Sequence, residues 1–183
     1  MTPKLIVIVG PSGVGKGSLI KKLLLNKSNY SLSISATTRK MRPGEEDGKD
    51  YFFLSNQEFE DLISEGGFLE WAEFAGSKYG TLKTQVEQNL SLGKSVILEI
   101  EIAGARQIRK STPEASFIFI APPSLSVLHD RLVTRGTESE QEIARRMELA
   151  KQELAAQAEF DFVLVNDDLE ASFERLLNYC ESL

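Results

Sequence analysis

Apolar residues gather in five short runs: Leu5 to Val9, Leu32 to Ala36, Val96 to Ile100, Phe117 to Ala121 and Phe162 to Val165. Each is rich in β-branched or aromatic side chains and too short for an ordinary helix, so each predicts a strand. Four are almost continuously apolar, the pattern of strands covered on both faces. The remaining periodic stretches predict helices over Lys16 to Leu25, Glu58 to Ser64, Lys83 to Leu92, Leu125 to Thr134, Glu140 to Glu159 and Glu170 to Cys180. Ser55 with Glu58 and Thr137 with Glu140 have capping-box spacing, Gly93 stands where the third helix should stop, and Pro122, Pro123 and Ser124 open the fourth. Strands alternating with helices make the class α/β, a parallel sheet flanked by helices.

Two insertions interrupt this alternation. The first, residues 39–94, has strand-like segments of its own at Tyr51 to Leu54 and Phe68 to Phe74, and predicts a substrate lobe. The second, residues 125–159, is charged and predicts a mobile lid. The core is then 1–38, 95–124 and 160–183, all within a single domain, as 183 residues allow.

After the first strand the chain reads Gly10-Pro11-Ser12-Gly13-Val14-Gly15-Lys16 and enters a helical pattern. Glycines at this spacing, followed by lysine and set between strand and helix, form the loop whose backbone N–H groups surround phosphates. Lys16 is expected at the transferring phosphoryl group. Gly17 stands where many such loops place a hydroxyl against magnesium, and Ser18 follows one residue later. That offset predicts Mg2+ held mainly through water, and it argues against a GTPase, as does the lack of an Asn-Lys-x-Asp signature.

Charge and cysteine content narrow the classes further. The formal net charge of -6 repels polyanions and argues against a nucleic-acid partner. One cysteine, Cys180, allows no internal disulfide, and one histidine, His129, leaves no zinc set. No apolar run approaches the ~20 residues that span a bilayer, so a soluble cytoplasmic protein is expected. Cys180 is expected to pack, His129 to lie on a helix surface, and Trp71 to belong to the core of the lobe.

From Ser33 the chain reads Ser-Ile-Ser35-Ala-Thr-Thr-Arg39-Lys-Met-Arg42-Pro-Gly-Glu45, then Gly48-Lys-Asp-Tyr51, Glu70-Trp71-Ala and Lys78-Tyr79-Gly-Thr81. With Arg131, Arg135-Gly136-Thr137, Arg146 and Val165-Asn166-Asp167-Asp168, these segments resemble the guanylate kinase family, in family order and over nearly the whole chain. The resemblance implies a P-loop core with an inserted GMP lobe and a lid. It also implies ATP and GMP as substrates, and Ser35, Arg39, Arg42, Glu45, Tyr51, Glu70, Tyr79 and Thr81 as GMP residues.

The residues make chemical sense on their own terms. Arg39 and Arg42 offer forked donors for a phosphate dianion, with a hydroxyl at Tyr51 or Tyr79 for the remaining oxygens. Guanine presents N1–H and the N2 amino group side by side, a pair that the Glu70 carboxylate can accept, while Ser35 and Thr81 can donate to O6. Adenine would turn a lone pair toward the same carboxylate. The family commonly has Asp followed by Ile or Val and Gln where this chain has Glu101, Ile102 and Ala103, so the contact of Glu101 stays open between guanine and metal-bound water.

Family resemblance brings Arg131, Arg135 and Arg146 over the phosphates on lid closure, where their charge would stabilise the transfer. Asn166 and Asp167 resemble the family's adenine-contacting pair and read equally well as a helix N-cap. Two other functions compete with ATP-to-GMP transfer: a kinase for another monophosphate, and a noncatalytic interaction module of the same fold. The intact loop and arginine set argue against the module, and Glu70 argues against AMP as acceptor.

Overall fold

Strand β1 (Leu5–Val9) is buried along its whole length because it is the middle strand of the larger of two sheets. The computed structural model describes residues 2–74, 76–136 and 138–183. In it β1 is flanked by β7 (Ser95–Glu99) and β8 (Ser116–Ala121), with β2 (Tyr30–Leu32) and β9 (Phe162–Val165) outermost, in the order β2-β7-β1-β8-β9. All four pairings are parallel. Alternation of side chains along a strand divides the core in two. Ile6 and Ile8 meet α1 (Lys16–Asn26) and α7 (Leu169–Ser182) through Leu19, Leu23, Phe173 and Leu176. Val7 and Val9 face α3 (Lys83–Ser91) and α4 (Ile102–Ser111) through Val86, Ala105 and Ile108.

Cys180, on α7, is 2% exposed within the first of these clusters. Burial, helped by neighbouring Glu181, pushes its thiol up to about 12. It is a packing residue, as expected.

The second sheet has the order β4-β3-β6-β5, from β3 (Ala36–Thr37), β4 (Phe52–Phe53), β5 (Phe68–Phe74) and β6 (Ser77–Leu82). Helix α2 (Asn56–Ser64) covers it with Phe59, whose ring stacks on Phe68 at 4.4 Å between centroids. The expected capping box of Ser55 and Glu58 is formed.

The predicted strand Leu32 to Ala36 is in fact two. β2 ends at Leu32 in the core sheet, and Ala36 already pairs in the lobe sheet. Ser33 and Ile34 make the crossing, where the Gln85 carbonyl of α3 accepts from the Ser33 hydroxyl at 2.7 Å and the Ile34 N–H at 3.0 Å. α4 and β6 were not foreseen in the sequence at all.

In the second insertion α5 (Leu125–Arg135) begins at Ser124, whose side chain caps it, and ends at the left-handed Gly136. α6 (Glu140–Ala155) is capped by Ser139 with Glu142. Thr137, expected to serve there, lies outside the described residues, and the helix stops at Ala155, before a short 3-10 turn at Gln157–Glu159. No helix among the described residues is long and apolar enough to cross a membrane.

Candidate active site

The glycine loop leaves the carboxyl end of β1, where ligands of open α/β sheets collect. Gly15 is the left-handed N-cap of α1, with φ of 97°, and no side chain caps the helix. The first N–H groups of α1 therefore stay available to an anion. Lys16 folds over the loop and donates to Gly10 O at 2.6 Å and Pro11 O at 3.2 Å. Ser18 is exposed, and nothing lies within 4 Å of where a Gly17 side chain would stand.

Two of the three expected lid arginines already rest on this loop. Arg131 donates to Val14 O at 3.3 Å and to Asn166 O at 2.9 Å. Arg146 reaches the Ser12 hydroxyl and pairs with Glu138 at 3.2 Å. Arg135 ends α5 as an exposed side chain and is not brought to the loop.

The Asn166 amide, buried at the end of β9, donates to Val14 O at 2.7 Å and so braces the loop. Neither Asn166 nor Asp167 is the cap of α7. Asp168 is, accepting from Ala171 N–H at 2.9 Å. Asp167 instead pairs with Arg175 at 2.7 Å.

In the lobe, Arg39 and Glu45 form a two-pronged pair at 2.7 and 3.1 Å, and Glu45 also accepts the Arg42 N–H at 2.7 Å. The Arg39 hydrogen bond lowers the Glu45 carboxyl below its ordinary value. Glu45, expected as a GMP contact, here holds the Arg39 guanidinium and the Arg42 backbone in place. Arg39 lies over the Tyr51 ring at 5.2 Å, and the Tyr51 and Tyr79 rings meet edge to face at 6.1 Å.

Glu70 is 7% exposed, and the Thr81 hydroxyl donates to it at 2.6 Å. Burial raises its carboxyl above the ordinary range, and the Thr81 hydrogen bond opposes this only in part. Trp71, expected in the core, is 37% exposed, because strand alternation turns it to the opposite face from Glu70.

One cavity of about 540 Å³ joins these parts. It is lined by Ser12 and Lys16 from the loop, Ser35, Tyr51, Glu70 and Tyr79 from the lobe, and Glu99, Glu101 and Gly104 after β7.

A further carboxylate approaches from α6. Glu153, in the last turn of α6, is 6% exposed and faces Glu101 and Lys16. Burial and the Glu101 carboxylate push it up to about 7 against the opposing pull of Lys16. Between the ordinary carboxylate value of 4.5 and about 7 the folded chain holds a proton that the unfolded chain has released. Stability from this group is therefore complete at acid pH and is lost as pH rises toward and through 7. Glu153→Gln should unfold at a higher denaturant concentration than wild type at pH 8, by about 1 to 2 kcal/mol once solvent screening from the cavity is allowed for, with the difference vanishing near pH 4. An equal gain at both pH values would deny the titration.

The sequence offered a signal for Glu153 that went unread. It lies three residues after Ala150 and ten after Ile143, both on the buried face of α6.

Comparison with known proteins agrees with this geometry. The sequence profile of the guanylate kinase family matches residues 2–183. A guanylate kinase of Prochlorococcus marinus is 59% identical over 166 residues, 91% of this chain and 90% of the relative. One from Synechocystis sp. is 53% identical over 174 residues, 95% and 91% of the two chains. The crystal structure of guanylate kinase from Anaplasma phagocytophilum superposes with a TM-score of 0.76 at 32% identity, covering 100% of this chain and 87% of that one. Glycine loop, arginine-bearing second sheet and the α5–α6 insertion thus occur together in a chain that belongs to the guanylate kinase family, the ATP-dependent kinases that phosphorylate GMP.

Proposed function

We propose that the cavity between loop and lobe is where the two substrates meet, with the triphosphate of ATP on residues 10–18 and GMP on the lobe. The observation that carries this reading is that Lys16 and Glu70 line the same cavity. Arg39 and Arg42, aligned by Glu45, take the GMP phosphate with Tyr51 and Tyr79. Ser35, Glu70, Thr81 and Glu101 surround the base, and Asn166 and Asp167 border the donor nucleotide.

The attacking group is an oxygen of the GMP phosphate, ionised near neutral pH, so no general base is needed and positioning plus charge can do the work. Lys16, Arg131 and Arg146 supply positive charge around the transferred phosphoryl group, and Arg135 joins them on lid closure. Mg2+ would be carried by nucleotide phosphates and water, with Ser18, exposed two residues after Lys16, as the protein hydroxyl. Mg2+ so bound would neutralise phosphate charge. The net charge of -6 supports small-molecule rather than nucleic-acid partners, and the lone buried thiol fits a reducing cytoplasm.

A panel of GMP, IMP and AMP with ATP, followed by coupled ADP release, tests the assignment. Glu70→Gln turns one acceptor into a donor facing guanine and should weaken GMP by about 1 to 3 kcal/mol while narrowing the GMP-to-AMP ratio. IMP, lacking the N2 amino group, should lose less. An unchanged ratio removes Glu70 from base recognition.

A further inference from the structure

We propose that Gly104 and Gln107, one turn apart on α4, are positioning residues that seat the Glu70 carboxylate and so set base selection. The inference rests on the reading of Glu70 as the acceptor for the base.

Three observations converge on this seat. First, Glu70 lies directly over α4. A Cβ added at Gly104 would stand 2.5 Å from Glu70 Oε2, 3.0 Å from its Cδ and 3.3 Å from its Cγ. Gly104 has an ordinary helical backbone and, being interior to α4, is a place where alanine is the better helix former. What the glycine provides is room for the carboxylate.

Second, Gln107 clamps the residue that follows Glu70. Its side-chain amide donates to Trp71 O at 2.9 Å, and its carbonyl accepts the Trp71 N–H at 3.2 Å. β5 is the edge strand of the lobe sheet, so this pair of bonds fastens its outer backbone as a neighbouring strand would.

Third, the β5–β6 register shifts between Phe68 and Glu70, with Phe68 opposite Leu82 and Glu70 opposite Thr81. A bulge at this point re-aims the next side chain. Here it sets Glu70 between the Thr81 hydroxyl and the first turn of α4. The lobe's base reader is thus held by a helix of the core, and a residue that never touches the base decides where the reader sits.

The test compares Gly104→Ala, Gly104→Ala with Glu70→Asp, Gln107→Ala and Glu70→Gln by steady-state kinetics with GMP, IMP and AMP, alongside KM for ATP and the thermal midpoint. Gly104→Ala should raise KM for GMP about tenfold or more and shrink the GMP-to-AMP ratio, with KM for ATP nearly unchanged. Shortening the carboxylate makes space for the new methyl group. The double variant should therefore recover roughly threefold or more of the lost GMP affinity, although Glu70→Asp alone is a loss. A merely structural glycine would give no such rescue.

Gln107→Ala, an exposed change, should raise KM for GMP a few-fold and narrow the same ratio. If Glu70→Gln collapses the ratio while folded Gly104→Ala keeps it, or if the double variant is no better than the single, the seat is wrong and the reading of Glu70 stands. If Glu70→Gln keeps the ratio, that reading falls and the seat falls with it. Should Gly104→Ala not fold, Gln107→Ala decides, and a wild-type ratio there overturns the proposal.

Discussion

In a Lys16→Met variant, turnover falls on the order of 1000-fold or more while the fold and thermal midpoint stay near those of wild type. The reaction asks little of proton transfer, so positive charge at the transferred group carries much of the catalysis. Lys16 stands on the loop's inner rim, its ammonium fixed by the carbonyls of Gly10 and Pro11, and it lines the shared cavity. Methionine keeps the length and removes the charge. Little stability is at stake, because the lysine lies part-buried on a loop facing the cavity rather than in the core. Coupled ADP release with circular dichroism checks both halves, and near-normal turnover in a folded variant would withdraw the assignment.

The second large effect is on stability. Gly10→Ala should lower it by roughly 2 to 4 kcal/mol and remove ATP binding, because the new methyl group would sit in backbone rather than against a yielding side chain. At Gly10 an added Cβ falls 2.2 Å from Ile120 O and 3.1 Å from Ile120 C, in a strand that is buried from Phe117 to Ala121, and φ is 153°. Gly17→Ala is the control: nothing lies within 4 Å there, and it should leave the midpoint unchanged. Urea titration of both proteins decides the matter, and equal midpoints for Gly10→Ala and wild type would contradict this packing of the loop against β8.

Four of the five core strands announced themselves, since a strand covered on both faces must be apolar throughout, as Leu5–Val9 and Ser116–Ala121 nearly are. What escaped notice depends on partners far along the chain. β6 reads Ser-Lys-Tyr-Gly-Thr-Leu, an unremarkable polar segment that becomes a strand by pairing with β5 on one side and β3 on the other. α4 buries Gly104, Ala105 and Ile108, and two of these are too small to mark an apolar face. The run Leu32 to Ala36 alternates as one strand would, and no local feature says that it changes sheets at Ser33.

The site divides along the same line. The glycine loop and the paired arginines are local and were legible. That Asn166 ties β9 to Val14 and that Glu153 reaches Glu101 are contacts between distant segments, whereas Glu45 pairs with Arg39 only six residues away.

Cys180 gives the chain an internal clock for its own opening. With its thiol pushed up to about 12, Cys180 is a neutral thiol at pH 7, and the sulfur is shielded besides. A thiol reagent must therefore wait for α7 to leave the sheet. Because Cys180 shares its cluster with Ile6, Ile8 and Leu23, that departure exposes the centre of the core. The labelling rate of this one residue thus follows the opening of the core sheet rather than movements of lobe or lid, and it separates the lifetime of the fold from the motions of its working parts.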